Sequence, residues 1–465
     1  MLFTQPRFLF FFLVVFAVHW GLRNHTWRKG WLLLASYAFY AAWDWRFLSL
    51  ILVSTLVDYV AALRIARPGA RRGRWLALSV VVNLVLLGFF KYWGFFVDSA
   101  AVLLEWLGLP GHLPTLRVLL PVGISFYTFQ TMSYSLDVHG RRLEPTRSLL
   151  DLATFVSFFP QLVAGPIVRA RFFLPQLSER RVLGRVDVRA ALVLFLIGFF
   201  KKTCVSDNLA PFVDRYYAAP EAFDALSGWC AVLGYSIQVY CDFSGYSDMA
   251  IACGVLLGYR LPLNFDFPYF SSSMSEFWLR WHISLSSFLR DYLYIPLGGN
   301  RGSALLVARN LMATMVLSGL WHGASWLFVG WGAMHGCSLI VHRAWRSLAE
   351  TSLPRRLVAR VAIPLTFAFW CCSLIPFRAT SLDTMWSTMS AVLLLDSPGQ
   401  GALGREVLWA FPVLALVHLC SARGYTTGWW RPLPGTVFAA AYALLWAFAL
   451  PLVSVDFTPF VYFQF

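Results

Sequence analysis

Charged residues are scarce in this chain of 465 residues. Asp, Glu, Lys and Arg make up 13% of it, about half of the ~25% typical of soluble domains. Polar linkers between domains are also lacking, although a soluble chain of this length would be expected to contain them. These absences exclude a soluble enzyme, a secreted disulfide scaffold and a disordered regulator.

Motifs of soluble chemistry are lacking as well. The eight cysteines form no CxxC pair and lie in or beside apolar runs, which is typical of packing residues and gives no support to a metal site. The glycine-rich run 297–302 is neither a phosphate-binding loop nor a dinucleotide fingerprint, and no GxSxG elbow occurs. No signal-peptide cleavage site follows the first apolar run, residues 8–18, so we interpret that run as a retained membrane span.

Apolar residues are abundant instead, at 58%, with a mean hydropathy of +0.62. Apolar segments occur near residues 2–20, 30–43, 47–63, 75–97, 117–137, 150–167, 190–205, 228–258, 306–320, 323–341, 361–377, 405–420 and 435–455. Several are shorter than the ~20 residues that a perpendicular span needs, so we expect tilted or re-entrant helices among them. The sequence therefore predicts an all-α polytopic membrane protein.

The formal net charge of +15 lies mostly in short loops. Arginines cluster in residues 64–74, 169–189 and 343–360, whereas residues 206–227 and 379–404 contain mainly acidic charges. By the positive-inside rule the first three connections face the cytoplasm and the other two face outward, which places both termini outside. No basic helix with interleaved aromatics protrudes from the apolar spans, so we expect no nucleic-acid partner.

Residues 259–304 form a polar insert in this apolar chain. Ser273 and Glu276 have the spacing of a capping box, and they predict a helix from about Met274 to Tyr292. Its apolar stripe comprises Phe277, Trp281, Leu285, Phe288 and Tyr292. Glu276 and Arg280 stand at i,i+4 in the favourable order. The helix carries too much charge to face lipid, and it is either an interfacial helix or the wall of a substrate chamber.

His322 lies in an otherwise apolar run, and no carboxylate occurs between Asp291 and Glu350. An imidazole kept neutral in a dry site can accept a proton, so His322 is a candidate general base. The small residues 318, 319, 323 and 324 beside it would let a substrate or another backbone approach. The alternative is a histidine hydrogen-bonded between packed helices.

Asp242 and Asp248 form a second polar cluster, within the apolar segment 228–258. Two carboxylates at this depth need partners, and Arg280, Arg290 or Arg301 could supply them. We favour structural ion pairing, with the helix broken at Gly245.

Several motifs resemble those of membrane-bound O-acyltransferases. They are residues 280–286 (RWHISLS), 290–301 (RDYLYIPLGGNR) and 319–324 (GLWHGA). Residues 158–167 (FFPQLVAGPI), 242–249 (DFSGYSDM), 264–265 (NF) and 460–465 (FVYFQF) are similar to the subgroup that acetylates alginate or peptidoglycan in bacteria. The resemblance runs across roughly the whole chain.

This resemblance implies one integral domain, residues 1–465, built as a ring of about 11–13 tilted and re-entrant helices around a central tunnel. It implies a multi-pass protein of the bacterial inner membrane, surrounded by membrane lipid. The acyl donor would be acetyl-CoA or another thioester arriving from the cytoplasm, with no tightly bound cofactor. The acceptor would be a polysaccharide on the outer side, and a periplasmic partner of the SGNH-hydrolase type would complete the transfer.

The resemblance also implies that His322 is the catalytic histidine and that His282 is the second polar position across the chamber. We expect His282, or Asn300 if it faces the chamber, to stabilise the oxyanion. The three arginines named above could bind donor phosphates or pair with the aspartates. The remaining candidates for substrate binding are Ser286, Asp291 and Trp321, and the full set is Arg280, Ser286, Arg290, Asp291, Asn300, Arg301, Trp321, Asp242 and Asp248.

Related envelope-acylation systems use a tyrosine in a C-terminal aromatic motif, which makes Tyr462 a candidate acyl carrier. An interfacial aromatic anchor is the alternative interpretation of this tail. Two other functions remain open at this point. One is D-alanyl transfer to teichoic acid by a related membrane protein, and the other is a transporter or flippase whose intramembrane charges line a substrate path.

Overall fold

The computed structural model describes residues 1–111, 113, 116, 118–162, 165–352, 355–424, 428–454 and 459–461, and only the backbone of residues 347–352 and 355–360. These parts are helical, and their one bridge of β type is the isolated parallel pair Phe223 and Gly401. The chain divides into two compact units. Unit 1 comprises Met1–Ala191 and Met249–Pro262, and unit 2 comprises Leu192–Asp248 and Leu263–Phe465. The all-helical prediction is confirmed.

Unit 1 is built from helices that begin near the N-terminus. They are Pro6–Gly21, His25–Asp44, Leu48–Ile65, Arg72–Leu87, Trp93–Trp106, Ile124–His139, Leu149–Ser157, Phe159–Leu162 and Ala170–Ser178, with short helical turns at Trp45–Phe47, Gly88–Tyr92 and Leu183–Arg185. The apolar segment 150–167 is interrupted at Phe158. Pro160 explains the interruption. It has no N–H to continue the helix, and its ring would clash with the carbonyl of Val156.

Six polar side chains meet inside unit 1, and we call them the Asp58 network. Helix Leu48–Ile65 packs against Arg72–Leu87 and Ile124–His139, and the three helices contribute Ser54 and Asp58, Ser79 and Asn83, and Thr131 and Ser135 respectively. The Asp58 carboxylate accepts hydrogen bonds from the Ser79 hydroxyl, the Asn83 amide and the Ser135 hydroxyl. The carbonyl oxygen of Asn83 accepts from Ser54 and Thr131. Three helices are thereby joined by mutually satisfied polar groups.

Unit 2 contains the candidate site. Its helices are Asp207–Ala218, Met274–Arg280, Ile283–Leu289, Ala304–His322, Trp326–Ser352, Arg355–Arg378, Leu382–Met389, Val407–Ala422 and Gly435–Ala449, with shorter turns at Phe200–Ser206, Pro220–Ala222, Pro268–Phe270, Arg290–Tyr294, Ser390–Leu394 and Leu450–Leu452. Val188–Phe199 and Ala225–Leu256 contribute residues to both units.

Five stretches among the described residues are long and apolar enough to cross a membrane: His25–Ile65, Arg72–Trp106, Ala304–His322, Val361–Arg378 and Gly435–Leu452. Pro6–Gly21 and Val407–Ala422 are shorter apolar helices. Two of these stretches are mostly unburied. Only 11% of the most apolar part of Arg72–Trp106 and 6% of that of Gly435–Leu452 lie inside the protein. These helices present apolar side chains to lipid, as a multi-pass membrane protein requires.

Two local predictions are wrong. The predicted helix from Met274 to Tyr292 ends at Arg280 and restarts at Ile283, because His282 adopts a left-handed conformation with φ of 42°. The predicted break at Gly245 is absent, since helix Ala225–Leu256 is continuous. Gly245 instead allows a close approach: a Cβ there would lie 2.6 Å from the backbone oxygen of Gly198 and 3.1 Å from the backbone nitrogen of Lys202.

Candidate active site

His322 is the last residue of helix Ala304–His322, and it is 3% exposed. Three rings surround its imidazole with centroids 5.0 to 5.5 Å away, those of Trp321, Trp331 and Phe377. All three are steeply inclined to the imidazole plane. These aromatic surroundings agree with the apolar run in which the sequence places His322.

A glycine crossing fixes the position of this histidine. Helices Ala304–His322 and Trp326–Ser352 are joined by only three residues, and they pack closely along their length. A Cβ at Gly319 would overlap the backbone oxygen of Phe328, and a Cβ at Gly332 would overlap that of Met315. The two backbones touch at these glycines, and this contact brings Trp331 against His322.

His282 is fully buried at the junction between the helices Met274–Arg280 and Ile283–Leu289. Its Nδ1 lies 3.2 Å from Oδ1 of Asn264, which also accepts hydrogen bonds from the backbone N–H and the hydroxyl of Ser284. The Ser284 N–H can only donate, so the Asn264 atom facing it is the oxygen. A neutral His282 therefore carries its proton on Nδ1 and presents a lone pair at Nε2.

The two histidines share one aromatic neighbour. The ring centroid of Trp321 lies 6.0 Å from that of His282 and 5.1 Å from that of His322. Trp321 is itself 4% exposed. Three of the residues predicted for the site are thus brought together, although 40 positions separate the two histidines along the chain.

The carboxylates of Asp242 and Asp248 have lysine partners, not the arginines that the sequence suggested. Lys201 Nζ lies 2.7 Å from Asp248, and Lys202 Nζ lies 2.6 Å from both Asp242 and Asp207. Asp242, Lys202 and Asp207 are buried. The prediction that these carboxylates form ion pairs is confirmed. The prediction that Arg280, Arg290 or Arg301 supplies the partners is wrong.

The arginines lie where they meet solvent. Arg280 is 2.9 Å from Glu276, as the i,i+4 spacing predicts, and Arg290 is 2.7 Å from its neighbour Asp291. Asp291 raises the pKa of the Arg290 guanidinium by hydrogen bonding to it. Arg301 is exposed. These side chains form a rim and do not reach the buried carboxylates.

Asn300 is also exposed, and its Oδ1 accepts hydrogen bonds from the Tyr294 hydroxyl and from Arg343. This placement counts against the expectation that Asn300 stabilises an oxyanion in a chamber. The Arg343 contact is informative in another way. Because Arg343 belongs to the arginine-rich stretch 343–360, which the sequence predicts to face the cytoplasm, the turn at 294–300 is expected on the same side.

A cavity of about 100 Å³ connects this rim to the histidine helix. Its lining includes Ser286, Arg290 and Tyr294 on one side and Leu311, Thr314, Met315 and Ser318 on the other. The last four are spaced along one face of helix Ala304–His322, and Ser318 lies one turn before His322. The Ser318 hydroxyl is buried and has no hydrogen-bond partner among the described residues.

Sequence reasoning missed Lys201, Lys202 and Trp331 in this region, and it named Asn264 only as part of a motif and Ser318 only as a small neighbour of His322. Two lysines at the end of the apolar segment 190–205 were a signal, since paired charges in such a segment call for partners. Trp331 carried no comparable signal, and the contact of Asn264 with His282 was not predictable from its motif, because both roles depend on which segments pack together. Tyr462 lies outside the described residues, although Phe460 and Val461 before it are buried.

Comparisons with known proteins show which family this chain resembles. The model of the membrane-bound O-acyltransferase family matches residues 139–382, a stretch that contains both histidines. "Probable alginate O-acetylase AlgI" of Azotobacter vinelandii is 39% identical over the whole of both chains. The peptidoglycan O-acetyltransferase of Helicobacter pylori is 37% identical over 87% of this chain and 82% of its own. Teichoic acid D-alanyltransferase of Streptococcus thermophilus is 28% identical over 62% and 75%. The chain belongs to the membrane-bound O-acyltransferase family.

Proposed function

We propose that this enzyme transfers an acetyl group from a thioester donor on the cytoplasmic side to a hydroxyl destined for a cell-envelope or secreted polysaccharide. The observation that carries the proposal is the buried His322, which lies one helical turn beyond Ser318, a lining residue of the cavity that Arg290 also lines. The higher identities to the two O-acetyltransferases, 39% and 37%, against 28% to the D-alanyltransferase, favour acetyl over D-alanyl as the group moved.

In the proposed reaction Nε2 or Nδ1 of His322 takes the proton of the acceptor hydroxyl as its oxygen attacks the thioester carbonyl. The tetrahedral intermediate collapses, the carbon–sulfur bond breaks, and the departing thiolate takes the proton back from the imidazolium. Exclusion of water by Trp321, Trp331 and Phe377 would limit loss of the acetyl group to hydrolysis.

The tautomer of His282 determines whether this residue can donate a hydrogen bond to the oxyanion. A neutral His282 has no N–H at Nε2 to offer, so it suits orientation of the acceptor hydroxyl better than stabilisation of negative charge. The indole N–H of Trp331 is a better candidate donor. It is buried without a hydrogen-bond partner among the described residues, and its ring contacts that of His322. A buried donor left unsatisfied costs about 1–3 kcal/mol, which an oxyanion would offset.

The cavity between Arg290 and Ser318 supports a thioester donor. Its lining is mostly apolar, which suits a slender acyl-bearing arm, and Arg290 at its mouth suits the phosphate of a coenzyme or carrier arm. The contact of Arg343 with Asn300 favours a cytoplasmic mouth. We further propose a periplasmic SGNH-type partner for the polysaccharide, as the resemblance to the alginate and peptidoglycan O-acetyltransferases implies, and an inner-membrane location.

Replacement of His322 tests the chemistry. His322→Gln keeps a polar side chain of similar size but removes the base, and we expect acetyl transfer from a labelled thioester to fall by at least about 10²-fold. The purified protein should remain folded by circular dichroism. The matched control is His342→Gln, which changes a histidine of the next helix that lies outside the site. Full activity of a folded His322→Gln protein would refute the role. Transport of the donor without release of acetyl would favour the transporter alternative.

The tail offers a second step of the proposal, in which Tyr462 carries the acetyl group as a phenyl ester. Support comes from the two residues that precede Tyr462. The Val461 N–H donates to Asp242 at 2.7 Å, and the Phe460 ring packs against Phe243 and Tyr246. Phe243 in turn contacts His282, with centroids 4.6 Å apart. Phe460 and Val461 are thereby held close to one of the two histidines.

Tyr462→Phe removes only the hydroxyl that would carry the acetyl group. We expect this variant to lose acetylation of the polymer while it still binds the donor. Tryptic mass spectrometry of the active protein should find a 42-Da addition on Tyr462, the mass of an acetyl group replacing a hydrogen. Normal acetylation of the polymer by Tyr462→Phe would refute the carrier role and would favour the alternative, in which the tail is an interfacial anchor.

A further inference from the structure

A larger cavity, of about 340 Å³, lies in unit 1 and plays no part in the proposed reaction. It is enclosed by the loop after helix Leu48–Ile65 and the loop after helix Ile124–His139. Arg67, Arg72 and Arg141 line it together with one acidic residue, Glu144, while Ile65 and Leu143 supply apolar wall. Both loops carry the arginine excess of a cytoplasmic face.

Arg72 is held in place by the end of a helix. Its guanidinium donates hydrogen bonds to the backbone oxygens of Val138 and His139, at 3.2 and 2.6 Å. These are carbonyls of the last turn of Ile124–His139, where the Val138 oxygen also accepts the backbone N–H of Arg141. Arg72 thus forms a fixed positive wall of the cavity.

Arg67 and Arg141 are different, because they have no ion-pair partner among the described residues. The nearby Arg142 and Arg171 lie 3.9 and 3.8 Å from the buried Asp137, so that carboxylate is already engaged. Arg141 also adopts a left-handed backbone, with φ of 56°. An arginine there costs about 1 kcal/mol more than glycine would, and such strain persists where another contact offsets it.

We propose that this cavity binds the phosphate of a membrane glycerophospholipid from the cytoplasmic leaflet. Arg67 and Arg141 would pair with the phosphate oxygens, since guanidinium groups match that geometry with two parallel hydrogen bonds. Glu144 would accept a hydrogen bond from a hydroxyl or ammonium of the head group. Basic cavities at the cytoplasmic ends of membrane helices are suited to such head groups.

The test compares a double variant, Arg67→Ala with Arg141→Gly, against Arg74→Ala. Arg74 is an exposed arginine in the first turn of helix Arg72–Leu87 that does not line the cavity, so it controls for the loss of a positive charge. Arg141→Gly relieves the left-handed strain, which protects the fold. Each protein is placed in nanodiscs of phosphatidylcholine alone or with phosphatidylglycerol, and its thermal midpoint is measured. Retained phospholipid is counted by native mass spectrometry.

We expect phosphatidylglycerol to raise the midpoint of the wild-type and Arg74→Ala proteins. The double variant should retain about tenfold less of this lipid, and addition of the lipid to phosphatidylcholine should not raise its midpoint. Equal lipid retention by the double variant and Arg74→Ala would overturn the proposal. A parallel arm adds inorganic phosphate or glycerol 3-phosphate to delipidated protein in detergent. Stabilisation there equal to that given by the lipid would overturn the assignment to a membrane lipid.

Discussion

At the scale of single residues, burial separates two kinds of charge in this protein. The Lys202 ammonium lies between the carboxylates of Asp207 and Asp242, and all three side chains are buried. The arginines of the rim face solvent beside their partners. Water can replace the partner of an exposed arginine but not that of a buried lysine. The buried ion pairs should therefore contribute more to the free energy of unfolding than the exposed ones.

Lys202→Met should therefore be strongly destabilising. It leaves two carboxylates buried with their main cation removed, and we expect a loss of about 3–5 kcal/mol in the free energy of unfolding. Arg46→Met is the matched control, because Arg46 is 68% exposed in its pair with Asp44 and should cost at most about 1 kcal/mol. Chemical unfolding in detergent measures both. Equal losses in the two variants would show that burial does not govern these pairs.

Sequence reasoning reached some of these residues and missed others for physical reasons. His322 could be found because it is isolated in an apolar run, and His282 through its motif. Asp242 and Asp248 could be recognised as needing partners, but Lys201 is 47 positions from Asp248. No local pattern encodes which helix passes beside them.

At the scale of elements, glycine and the apolar stripe each allowed two interpretations. The stripe through Phe277, Trp281 and Leu285 continues across a break in the helix. No proline or glycine marks that break in the sequence, because the left-handed residue is His282. Gly245 suggested a break, yet it serves close packing against Gly198. Periodicity reports which faces are apolar, whereas helix continuity also depends on contacts such as that of His282 with Asn264.

The crossing of the helices Ala304–His322 and Trp326–Ser352 yields a prediction of its own. Gly332→Ala places a methyl group against the Met315 oxygen and 2.9 Å from the Val316 Cα, which forces the helices apart. We expect a loss of about 1–3 kcal/mol in stability and reduced acetyl transfer, because Trp331 moves away from His322.

Gly330→Ala is the control on the same helix, since no atom lies within 4 Å of its added Cβ. It should stabilise the helix by about 0.5–1 kcal/mol and leave transfer unchanged. Thermal unfolding and turnover are measured for both variants. A Gly332→Ala protein that matched Gly330→Ala in both would mean that the backbone contact does not position the site.

At the scale of the whole molecule, the distribution of arginine predicts orientation. Loop 64–74 should face the cytoplasm and loop 379–404 the outside. In a Cys337→Ser background, which removes an exposed native thiol, single cysteines replace the exposed residues Pro68 and Gln400. A membrane-impermeant maleimide should label only Gln400→Cys in intact spheroplasts and should reach Pro68→Cys only after the membrane is opened. The reverse pattern would invert the orientation and, with it, the side on which the donor is expected.

Composition was enough to predict the class of protein, and the shared motifs were enough to predict its family. The division into two compact units was not predicted, and a single domain of residues 1–465 remains a proposal. Hydropathy treats each segment separately, while units are defined by which segments pack together. The apolar segment 228–258 illustrates this, because one continuous helix contributes residues to both units.

The Asp58 network has a consequence for how the protein is made. Its six groups satisfy one another only when three helices are side by side, yet Thr131 and Ser135 are synthesised about fifty residues after Asn83. Until then Asp58 lacks the hydrogen bond from Ser135 and Asn83 lacks the one from Thr131, and in lipid no water can replace either donor. The first two helices should therefore wait at the insertion site for the third and leave it as a group.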